Sequence, residues 1–460
     1  MTRITDPTDS PSFSIAPGGV LTGRLQVPGD KSISHRGLIL GALAEGDTEI
    51  VGFLEGEDTL ATLAAFRAMG VAMESDGAGR VWVRGVGPTG LSAPPGPLYL
   101  GNSGTSMRLL AGVLAGQSFP SELVGDPSLS RRPMARIATP LRAMGADIAT
   151  GDAGTPPLRI RGGGVLSGID YDMPVASAQV KSCLLLAGLF AQGQTRVREP
   201  APTRDHTERM LMGFGYSGFA HHPMPRISHS ITRNDSGSGR AGLAIVGGGR
   251  LRGTRVVVPG DISSAAFFLV GASIARGSEL VLENVGVNPT RTGVIRILEM
   301  MGADITLFNE KRASAEPVAD IRVRARPLNG VRIPSDMVSL AIDEFPALFI
   351  AAACARGETT VTGAGELRSK ESDRIATMAE GLQRLGIDAK PTADGMIIRG
   401  GEPTGGRIAS QGDHRIAMAF AMAGLASRAP IIVEDCANVN TSFPGFVATA
   451  AGAGLRILER

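Results

Sequence analysis

The stretch Val27-Pro28-Gly29-Asp30-Lys31-Ser32-Ile33-Ser34-His35-Arg36 predicts a short strand, a turn and a helix start in quick succession. Pro28-Gly29 favours the turn, and Asp30 is of a residue type that often caps helices. The first turn of a helix carries unpaired N–H groups and a positive dipole end. Together with Lys31 and Arg36, such a helix start suits an anion such as phosphate or carboxylate. The alternative from this stretch alone is an ordinary solvated helix cap.

Composition limits the partners of the chain. It has 460 residues, of which 43% are hydrophobic and 20% are charged, so a globular protein with two or three domains is expected. The net charge is only +2, which gives no global field toward nucleic acid or a membrane surface. No apolar run is long enough to span a membrane. Bound anions should therefore be small and met by local clusters of cations.

Cysteine usage points to a reducing compartment. Cys183, Cys354 and Cys436 are far apart in the sequence, which argues against a disulfide framework or a zinc site. We therefore expect a cytoplasmic protein without a metal. The polar segment 221–239 contains three histidines and is interpreted as an inserted loop, since carboxylate or cysteine ligands are missing at a usual spacing. Residues 1–16 are interpreted as a loose leader, not a signal peptide.

An internal repeat organises the chain. A polar or Gly-rich turn followed by a small-residue apolar helix occurs six times, at 29–46, 101–116, 174–193, 259–277, 343–357 and 412–427. These helices lack a polar face, so burial on all sides is predicted. A second, amphipathic helix follows each one and closes on glycine, which can end a helix in the left-handed conformation. The closing glycines are Gly70, Gly145, Gly215, Gly302, Gly386 and Gly454.

Six units divide naturally into two domains of three. The segment Val258-Pro259-Gly260-Asp261-Ile262-Ser263 repeats the pattern of the opening stretch, which suggests one chain crossing per half. We predict a first domain at 32–258 and a second at 17–31 plus 259–460. Hinge crossings are expected near 28–32 and 257–261. In such a repeat, equivalent helix starts lie at one end, where their cations would form an anion-binding cleft.

Polar residues at these helix starts are the candidates for chemistry. Asp343 precedes an apolar helix, and Glu371 lies between Lys370 and Arg374, so both carboxylates are candidates for proton transfer. Routine surface ion pairs are the alternative for the set at 370–374.

The motifs taken in order resemble the 3-phosphoshikimate 1-carboxyvinyltransferase (EPSP synthase) family. They cover nearly the whole chain from about residue 20. The matching stretches are P-G-D-K-S-I-S-H-R at 28–36, G-N-S-G-T-S-M-R at 101–108, R-R-P-M at 131–134, A-S-A-Q-V-K-S at 176–182, T-R-D-H-T-E at 203–208, N-P-T-R-T-G at 288–293, I-D-E-F-P at 342–346, L-R-S-K-E-S-D-R at 367–374, G-D-H-R-I-A-M at 412–418 and T-S-F-P at 441–444.

The resemblance implies a fold and a reaction. The fold is α/β, with two similar domains, each of three βαβαββ-type units with buried inner helices, described as an inside-out α/β barrel. The reaction moves the enolpyruvyl group of phosphoenolpyruvate to the 5-hydroxyl of shikimate 3-phosphate and releases phosphate, on the route to chorismate and the aromatic amino acids. No cofactor or metal is implied. We expect a monomer whose partners are these two small anions, with no nucleic acid and no membrane.

The resemblance also implies roles for residues. Asp343 is similar to the base on the 5-hydroxyl, and Glu371 to the acid that protonates phosphoenolpyruvate, with Lys31 as a helper. The shikimate 3-phosphate set is Lys31, Ser32, Arg36, Ser177, Ala178, Gln179, Arg204, Asp343 and Lys370. The phosphoenolpyruvate set is Lys31, Gly104, Arg132, Gln179, Arg374 and Arg415. Arginine suits these anions because its planar fork matches carboxylate and phosphate.

Three positions depart from the common family pattern. Thr441 stands where many members carry Lys, Ala178 stands where many carry Ser, and Leu109 stands where glyphosate-sensitive members often carry Pro. They resemble the divergent, glyphosate-insensitive branch, whereas Gly104 favours sensitivity, so the response to glyphosate stays open.

Two other functions compete. The related transfer to UDP-N-acetylglucosamine usually relies on a reactive Cys in the first half, and residues 101–135 contain none. A six-unit scaffold for a protein partner would leave the charge at buried helix starts unexplained.

Overall fold

Small-residue helices alternate with amphipathic helices along the chain. The structure, a computed structural model, describes residues 10–219 and 242–460. Its helices are α1 (Lys31–Leu43), α2 (Glu57–Ala68), α3 (Gly104–Ala115), α4 (Ala135–Ala143), α5 (Ala178–Gly188), α6 (His206–Gly213), α7 (Ile262–Ile274), α8 (Gly293–Met300), α9 (Ser335–Val338), α10 (Phe345–Ala353), α11 (Arg374–Arg384), α12 (His414–Ala423) and α13 (Phe446–Ala453).

The strands are short and are distributed between the helices. They are β1 (Phe13–Gly19), β2 (Thr22–Leu25), β3 (Glu45–Val51), β4 (Ala72–Ser75), β5 (Arg80–Val86), β6 (Leu98–Tyr99), β7 (Ser121–Val124), β8 (Ile148–Ala149), β9 (Leu158–Ile160), β10 (Asp170–Asp172), β11 (Gln194–Arg198), β12 (Gly242–Val246), β13 (Arg255–Val257), β14 (Glu279–Gly286), β15 (Asp304–Ala313), β16 (Glu316–Arg324), β17 (Glu358–Val361), β18 (Asp388–Thr392), β19 (Gly395–Arg399), β20 (Gly406–Ala409), β21 (Ile431–Glu434) and β22 (Leu455–Glu459).

The chain divides into two compact units. One, here called the N-terminal unit, is Lys31–Val258; the other, the C-terminal unit, combines the residues up to Asp30 with Pro259–Arg460. The sheets of the N-terminal unit have the strand orders β13-β3-β5-β4, β6-β7-β9-β8 and β10-β11-β12. Those of the C-terminal unit have the orders β15-β16-β14-β2, β17-β19-β18 and β20-β21-β1-β22.

The repeat has a clear topology. In the clearest copy, β6-α3-β7-α4-β8-β9, strand β6 pairs parallel with β7, which continues antiparallel through β9 to β8. The first copy takes its parallel strand from β13, and the fourth takes its parallel strand from β2, far away in sequence. The prediction of an α/β fold built from βαβαββ units is confirmed. The described strands form separate open sheets of three or four strands, because each repeat pairs its own hairpin, so a closed barrel is not formed by them.

Burial follows the predicted division between helix types. Every residue of α10 and of α12 is buried, and α3 is buried at all positions except Thr105. The following helices bury one side only; α13, for example, buries Phe446, Ala450 and Ala453. Helices without a polar face cannot face water on any side, so the sheets cover them.

The closing glycines are left-handed as predicted. All six have positive φ, from 78° at Gly215 to 117° at Gly454. An L residue with a side chain rarely adopts this conformation, whereas glycine ends the helix without steric cost. The chain can therefore turn sharply from each amphipathic helix into the next strand.

The expected loose leader differs from the structure at its end. Phe13 and Ile15 are buried in β1, which pairs with β21 and β22. Their alternation with partly exposed residues is the period of a half-buried strand. Residues 1–9 and the expected insertion at 221–239 lie outside the described residues. Within the described ranges, no helix is long and apolar enough to cross a membrane.

Candidate active site

Arg374 is the centre of a charged network in the C-terminal unit. It begins α11, and only 1% of its side chain is exposed. Its Nε lies 2.8 Å from Asp413 Oδ2, its Nη2 lies 2.6 Å from Glu371 Oε2, and its Nη1 lies 3.6 Å from Asp343 Oδ1. Burial alone would lower the pKa of Arg374, but Asp413 and then Glu371 outweigh it and raise the pKa. The guanidinium therefore stays charged and orients three carboxylates.

Lys370 joins the same network from the other side of Asp343. Its Nζ lies 3.2 Å from Asp343 Oδ1 and 3.3 Å from Glu366 Oε1. Asp343 precedes α10, and its side chain is 16% exposed, so it keeps some access to solvent or ligand. Two cations thus contact one oxygen of Asp343 and fix the direction of its carboxylate.

Asp413 was missed as a site residue. It is completely buried and is the N-cap of α12, where its side chain accepts from the backbone N–H of Arg415 at 2.9 Å. It also accepts from Ser372 Oγ at 3.1 Å. The sequence signal was available, because Asp directly before an apolar helix is a capping residue. Asp413 links Arg374 to the helix start that carries Arg415, itself buried.

Lys31 pairs with an unpredicted carboxylate in the N-terminal unit. Its Nζ lies 2.9 Å from Asp58 Oδ2, and the two side chains are 14% and 9% exposed. Asp58 lies in the first turn of α2, where its charge is also favoured by the helix dipole. Sequence reasoning could not find this pair, because the partners are 27 residues apart and belong to different helices.

Arg36 is largely enclosed by protein acceptors. It donates to Thr207 Oγ1 and Ser182 Oγ, both at 2.7 Å, and to the carbonyl of Ser32 at 2.9 Å. Thr207 also donates to Ser182 Oγ at 2.7 Å. Arg36 therefore fixes the first turn of α1 against α5 and α6, and it offers a ligand only its remaining 4% exposed surface.

Gly104 lies between two arginines. Arg108 Nη1 donates to Gln179 Oε1, and Gln179 Nε2 donates to Thr105 Oγ1 at 2.9 Å. Arg132 Nη2 donates to Asn102 Oδ1. A Cβ at Gly104 would lie 3.0 Å from Arg108 Nη1 and 3.3 Å from Arg132 Nη1. The glycine therefore allows both guanidinium groups to approach the start of α3. Arg108 belongs to a motif found in the sequence but was not predicted as a site residue.

Side-chain hydrogen bonds connect the buried helices α1 and α3 of the N-terminal unit. His35 Nδ1 lies 2.9 Å from Thr62 Oγ1, which lies 2.7 Å from Ser106 Oγ, which donates to Ser103 Oγ at 2.6 Å. Ser103 caps α3, and Ser177 caps α5 by accepting from the N–H of Val180. The side-chain bonds thus connect α1 to the start of α3 through Thr62 of α2, whereas the two caps act within their own helices.

The remaining predicted residues of the N-terminal unit lie at or just before helix starts. Ala178 begins α5 directly after Ser177, and Ser32 lies in the first turn of α1. Arg204 is half-buried just before α6.

Lys181, which was not predicted as a site residue, is almost fully buried, and its Nζ lies 2.8 Å from Glu208 and 2.9 Å from Glu199. Burial alone would lower the pKa of Lys181, but the two carboxylates outweigh it and raise the pKa.

Taken by unit, the predicted residues form defined groups. Asp343, Lys370, Glu371 and Arg374 share one network, which Asp413 connects to Arg415. Gly104, Gln179 and Arg132 meet around Arg108. Thr441, one of the departures from the family pattern, is buried and donates to the carbonyl of Asn438 at 2.7 Å. Within 10–219 and 242–460, no cluster of three or more His, Cys, Asp or Glu could hold a metal ion.

Comparison with known proteins identifies the family. The family model of EPSP synthase (3-phosphoshikimate 1-carboxyvinyltransferase) matches residues 15–449. The chain belongs to the EPSP synthase family. The motif-based resemblance is thereby confirmed over nearly the whole chain.

Relatives and solved structures agree with membership of the EPSP synthase family. A 3-phosphoshikimate 1-carboxyvinyltransferase of Nitrosococcus oceani is 64% identical, over 98% of this chain and 97% of the relative. One of Alkalilimnicola ehrlichii is also 64% identical, over 97% of this chain and 96% of the relative. A solved structure of EPSP synthase from Acinetobacter baumannii has a TM-score of 0.84 and 56% identity, and the match covers 98% of this chain and 100% of that chain.

Proposed function

We propose that the protein transfers the enolpyruvyl group of phosphoenolpyruvate to the 5-hydroxyl of shikimate 3-phosphate, releasing phosphate. It is thus a transferase of the shikimate route to chorismate and the aromatic amino acids. Membership of the EPSP synthase family over residues 15–449 supports the reaction. The observation that carries the mechanism is the network in which Arg374 and Lys370 contact Asp343 and Glu371.

The two substrates would be bound chiefly by cations, hydroxyls and helix N-termini. Arginine forks and unpaired N–H groups bind phosphate and carboxylate well. Shikimate 3-phosphate would contact Lys31, Ser32, Arg36, Ser177, Ala178, Gln179, Arg204, Asp343 and Lys370. Phosphoenolpyruvate would contact Lys31, Gly104, Arg132, Gln179, Arg374 and Arg415.

Asp343 would act as the base. Its carboxylate takes the proton of the 5-hydroxyl as that oxygen forms a bond to C2 of phosphoenolpyruvate. Lys370 and Arg374, 3.2 and 3.6 Å from Asp343 Oδ1, hold the carboxylate in position for the transfer. A positioned base of this kind is worth about two to four powers of ten in rate.

Glu371 would act as the acid. It delivers a proton to the methylene carbon C3, with Lys31 as a helper, so C3 becomes a methyl group and C2 becomes tetrahedral. Loss of one methyl proton and of phosphate from C2 then restores the double bond. The methyl proton returns to Glu371, and the proton that Asp343 took from the hydroxyl leaves with the phosphate, so both carboxyl groups regain their starting states. Arg374 holds Glu371 at 2.6 Å and so fixes its direction.

The test is phosphate release from phosphoenolpyruvate with either shikimate 3-phosphate or UDP-N-acetylglucosamine as acceptor. We expect release with shikimate 3-phosphate only. Release with the UDP-sugar would replace the proposed acceptor, and release with neither would remove the proposed activity. Asp343→Asn should lower kcat by about two to four powers of ten. The matched control is Asp336→Asn, an exposed carboxylate of the same unit, which should keep its turnover.

We further infer a monomer that works in the cytoplasm, without nucleic acid as a partner. All three cysteines are free, and burial raises the pKa of Cys183, Cys354 and Cys436 to about 12. Such thiols are unreactive at neutral pH, which suits a reducing compartment. Light scattering of the purified protein tests the monomer, and a dimeric mass would overturn it.

A further inference from the structure

Two Pro-Gly-Asp turns of the C-terminal unit are bonded to each other. The N–H of Asp30 donates to the carbonyl of Pro259, and the N–H of Asp261 donates to the carbonyl of Pro28, both at 2.8 Å. Gly29 and Gly260 form an antiparallel bridge between the same turns. The chain leaves the unit after Asp30 and returns at Pro259. Both ends of the other unit are therefore attached to one paired turn.

Arg291 connects these two turns to Glu344 at the start of α10. Its Nη1 lies 2.9 Å from Asp30 Oδ2, and its Nη2 lies 3.1 Å from Asp261 Oδ1. Nη2 also donates to Ser263 Oγ at 2.7 Å and lies 3.6 Å from Glu344 Oε1. Ser263 Oγ in turn donates to Glu344. One planar guanidinium thus spans three segments that are far apart in sequence.

The cluster is buried and has an excess of negative charge. The side chains of Arg291, Asp30, Asp261 and Glu344 are 3%, 4%, 7% and 1% exposed. Three carboxylates therefore face one guanidinium. Burial raises the pKa of Asp261, and the charge of Asp30 adds to this, while Arg291 and Arg415 oppose it. A buried ionic cluster is a costly way to stabilise a fold, and apolar residues often do it better. A positional role would explain its presence.

We propose that Arg291 is a positioning residue for the enolpyruvyl transfer, which holds Asp30 and Glu344 and thereby the backbone of their neighbours Lys31 and Asp343. The inference rests on the proposed function, because Lys31 and Asp343 are the proposed catalytic groups. Asp30 is joined directly to Lys31, and Glu344 is joined directly to Asp343. A change in the cluster is therefore passed on through a single peptide bond in each case.

The arginine fork is required by this geometry. Nη1 contacts Asp30 in one turn, and Nη2 contacts Asp261 in the other turn and Glu344 at the start of α10. A lysine ammonium is a single point charge and cannot contact all three carboxylates from one position. Arg291→Lys should therefore keep the charge balance while loosening the positions. Arg291→Met removes both the charge and the fork.

The variants are compared by kcat, the two KM values, thermal unfolding and the pH profile. Arg291→Lys should lower kcat at least tenfold with KM changes of threefold or less, and with a melting temperature near that of the parent protein. Arg291→Met should lower kcat at least a hundredfold at pH 7.5. Its kcat should recover in part as the pH falls, because burial raises the pKa of Asp261 and its protonation reduces the repulsion within the cluster. Other charges near the cluster are Asp343 and Arg415.

The matched control is Arg399→Met. Arg399 is in the same unit, 68% exposed, and 3.6 Å from Glu358, so kcat and both KM values should not change. If Arg291→Met fails to fold, Arg291→Lys and Glu344→Gln decide, since Glu344→Gln keeps the size and removes one contact of the cluster. It should lower kcat more than it raises either KM.

The outcomes separate this inference from the proposed function. If the parent protein releases no phosphate with shikimate 3-phosphate, the proposed function fails. If the parent is active and Arg291→Lys and Glu344→Gln keep the parent kcat, the positioning role fails alone. A loss of activity that equals the unfolded fraction, with an unchanged pH profile, would also overturn it, because the cluster would then serve stability only.

Discussion

Gly104→Ala should weaken phosphoenolpyruvate binding without weakening the fold. The new Cβ would lie 3.0 Å from Arg108 Nη1 and 3.3 Å from Arg132 Nη1. Ordinary contacts between heavy atoms begin at about 3.5 Å, so the two groups must move by roughly 0.5 and 0.2 Å. Arg108 is held by Gln179, and Arg132 is held by Asn102, so both movements disturb proposed ligands.

The magnitude follows from how easily these groups move. Overpacking a tight site costs about 1–3 kcal/mol, and flexible side-chain ends place this site near the lower value. About 1 kcal/mol corresponds to a roughly fivefold rise in KM for phosphoenolpyruvate. Gly104 begins α3 and its φ is not positive, so alanine is sterically allowed there. Alanine is the better helix former by up to about 1 kcal/mol, so the melting temperature should stay equal or rise.

The assay measures phosphate release against phosphoenolpyruvate at saturating shikimate 3-phosphate, together with thermal unfolding. Gly213→Ala is the control, because no atom lies within 4 Å of the added Cβ and its φ is not positive. An unchanged KM for phosphoenolpyruvate in Gly104→Ala would refute the reasoning. Glyphosate competes with phosphoenolpyruvate in the family and is longer, so its inhibition constant should rise more than this KM does. Equal rises would show that residue 104 does not discriminate the two.

Three further predictions concern buried charges. Asp413→Asn removes the negative charge that pairs with Arg374. We expect kcat/KM for phosphoenolpyruvate to fall at least tenfold in steady-state assays. Asp58→Asn removes the carboxylate partner of Lys31, and kcat/KM for both substrates should fall by about tenfold, with KM rising less than kcat falls. Lys181→Met leaves buried carboxylates unpaired, and denaturant unfolding should show a loss of about 3–5 kcal/mol. Because the folded-state pKa of Lys181 is raised, its stabilisation is complete below about pH 10.4, the unfolded value, and is lost as pH rises further.

Controls for these variants come from exposed charges. Lys390→Met removes a lysine that is 72% exposed and 3.8 Å from Asp388, and it should not change the free energy of unfolding measurably. If Lys181→Met unfolds like Lys390→Met, the ion pairs of Lys181 with Glu199 and Glu208 have no stabilising role. If Asp413→Asn or Asp58→Asn keeps kcat/KM, the carboxylate concerned does not orient its cation. A fall in stability above about pH 10.4 that is equal in Lys181→Met and the parent would contradict the assignment to Lys181.

Local signals in the sequence predicted most of the architecture. The six closing glycines could be predicted because a helix end and a left-handed residue are decided within a few positions. The fully buried helices could be distinguished from the amphipathic ones, because a helix made only of apolar and small residues has no polar face. The prediction that the loose leader extends to residue 16 was wrong, because Phe13 and Ile15 belong to β1. The two residues alternate as strand residues do, but the polar residues that dominate 1–16 hid this signal.

Long-range partners could not be predicted in the same way. Asp30 was interpreted as a helix cap, yet its carboxylate contacts Arg291, 261 residues away. No periodicity or spacing relates these positions; only the pairing of the two turns brings them together. The same holds for Lys31 and Asp58, and for Arg374 and Asp413. The sequence therefore offered cations as candidate site residues, but it could not indicate the distant carboxylates that contact them.

The charges of the two units suggest a division of labour. In the N-terminal group the cations Lys31, Arg36, Arg108 and Arg132 outnumber two carboxylates, Asp58, which pairs with Lys31, and Asp126, which accepts from Asn102. In the C-terminal group four carboxylates outnumber three cations; the carboxylates are Asp343, Glu366, Glu371 and Asp413, and the cations are Lys370, Arg374 and Arg415. An anion gains most from cations that carboxylates do not already neutralise, so most of the anion binding should fall to the N-terminal residues. Proton transfer needs carboxylates held in fixed directions, which the C-terminal network supplies. Substitutions of Arg36, Arg108 and Arg132 should therefore act mainly on KM, whereas substitutions of the C-terminal carboxylates, and of the proposed proton-transfer helper Lys31, should act mainly on kcat.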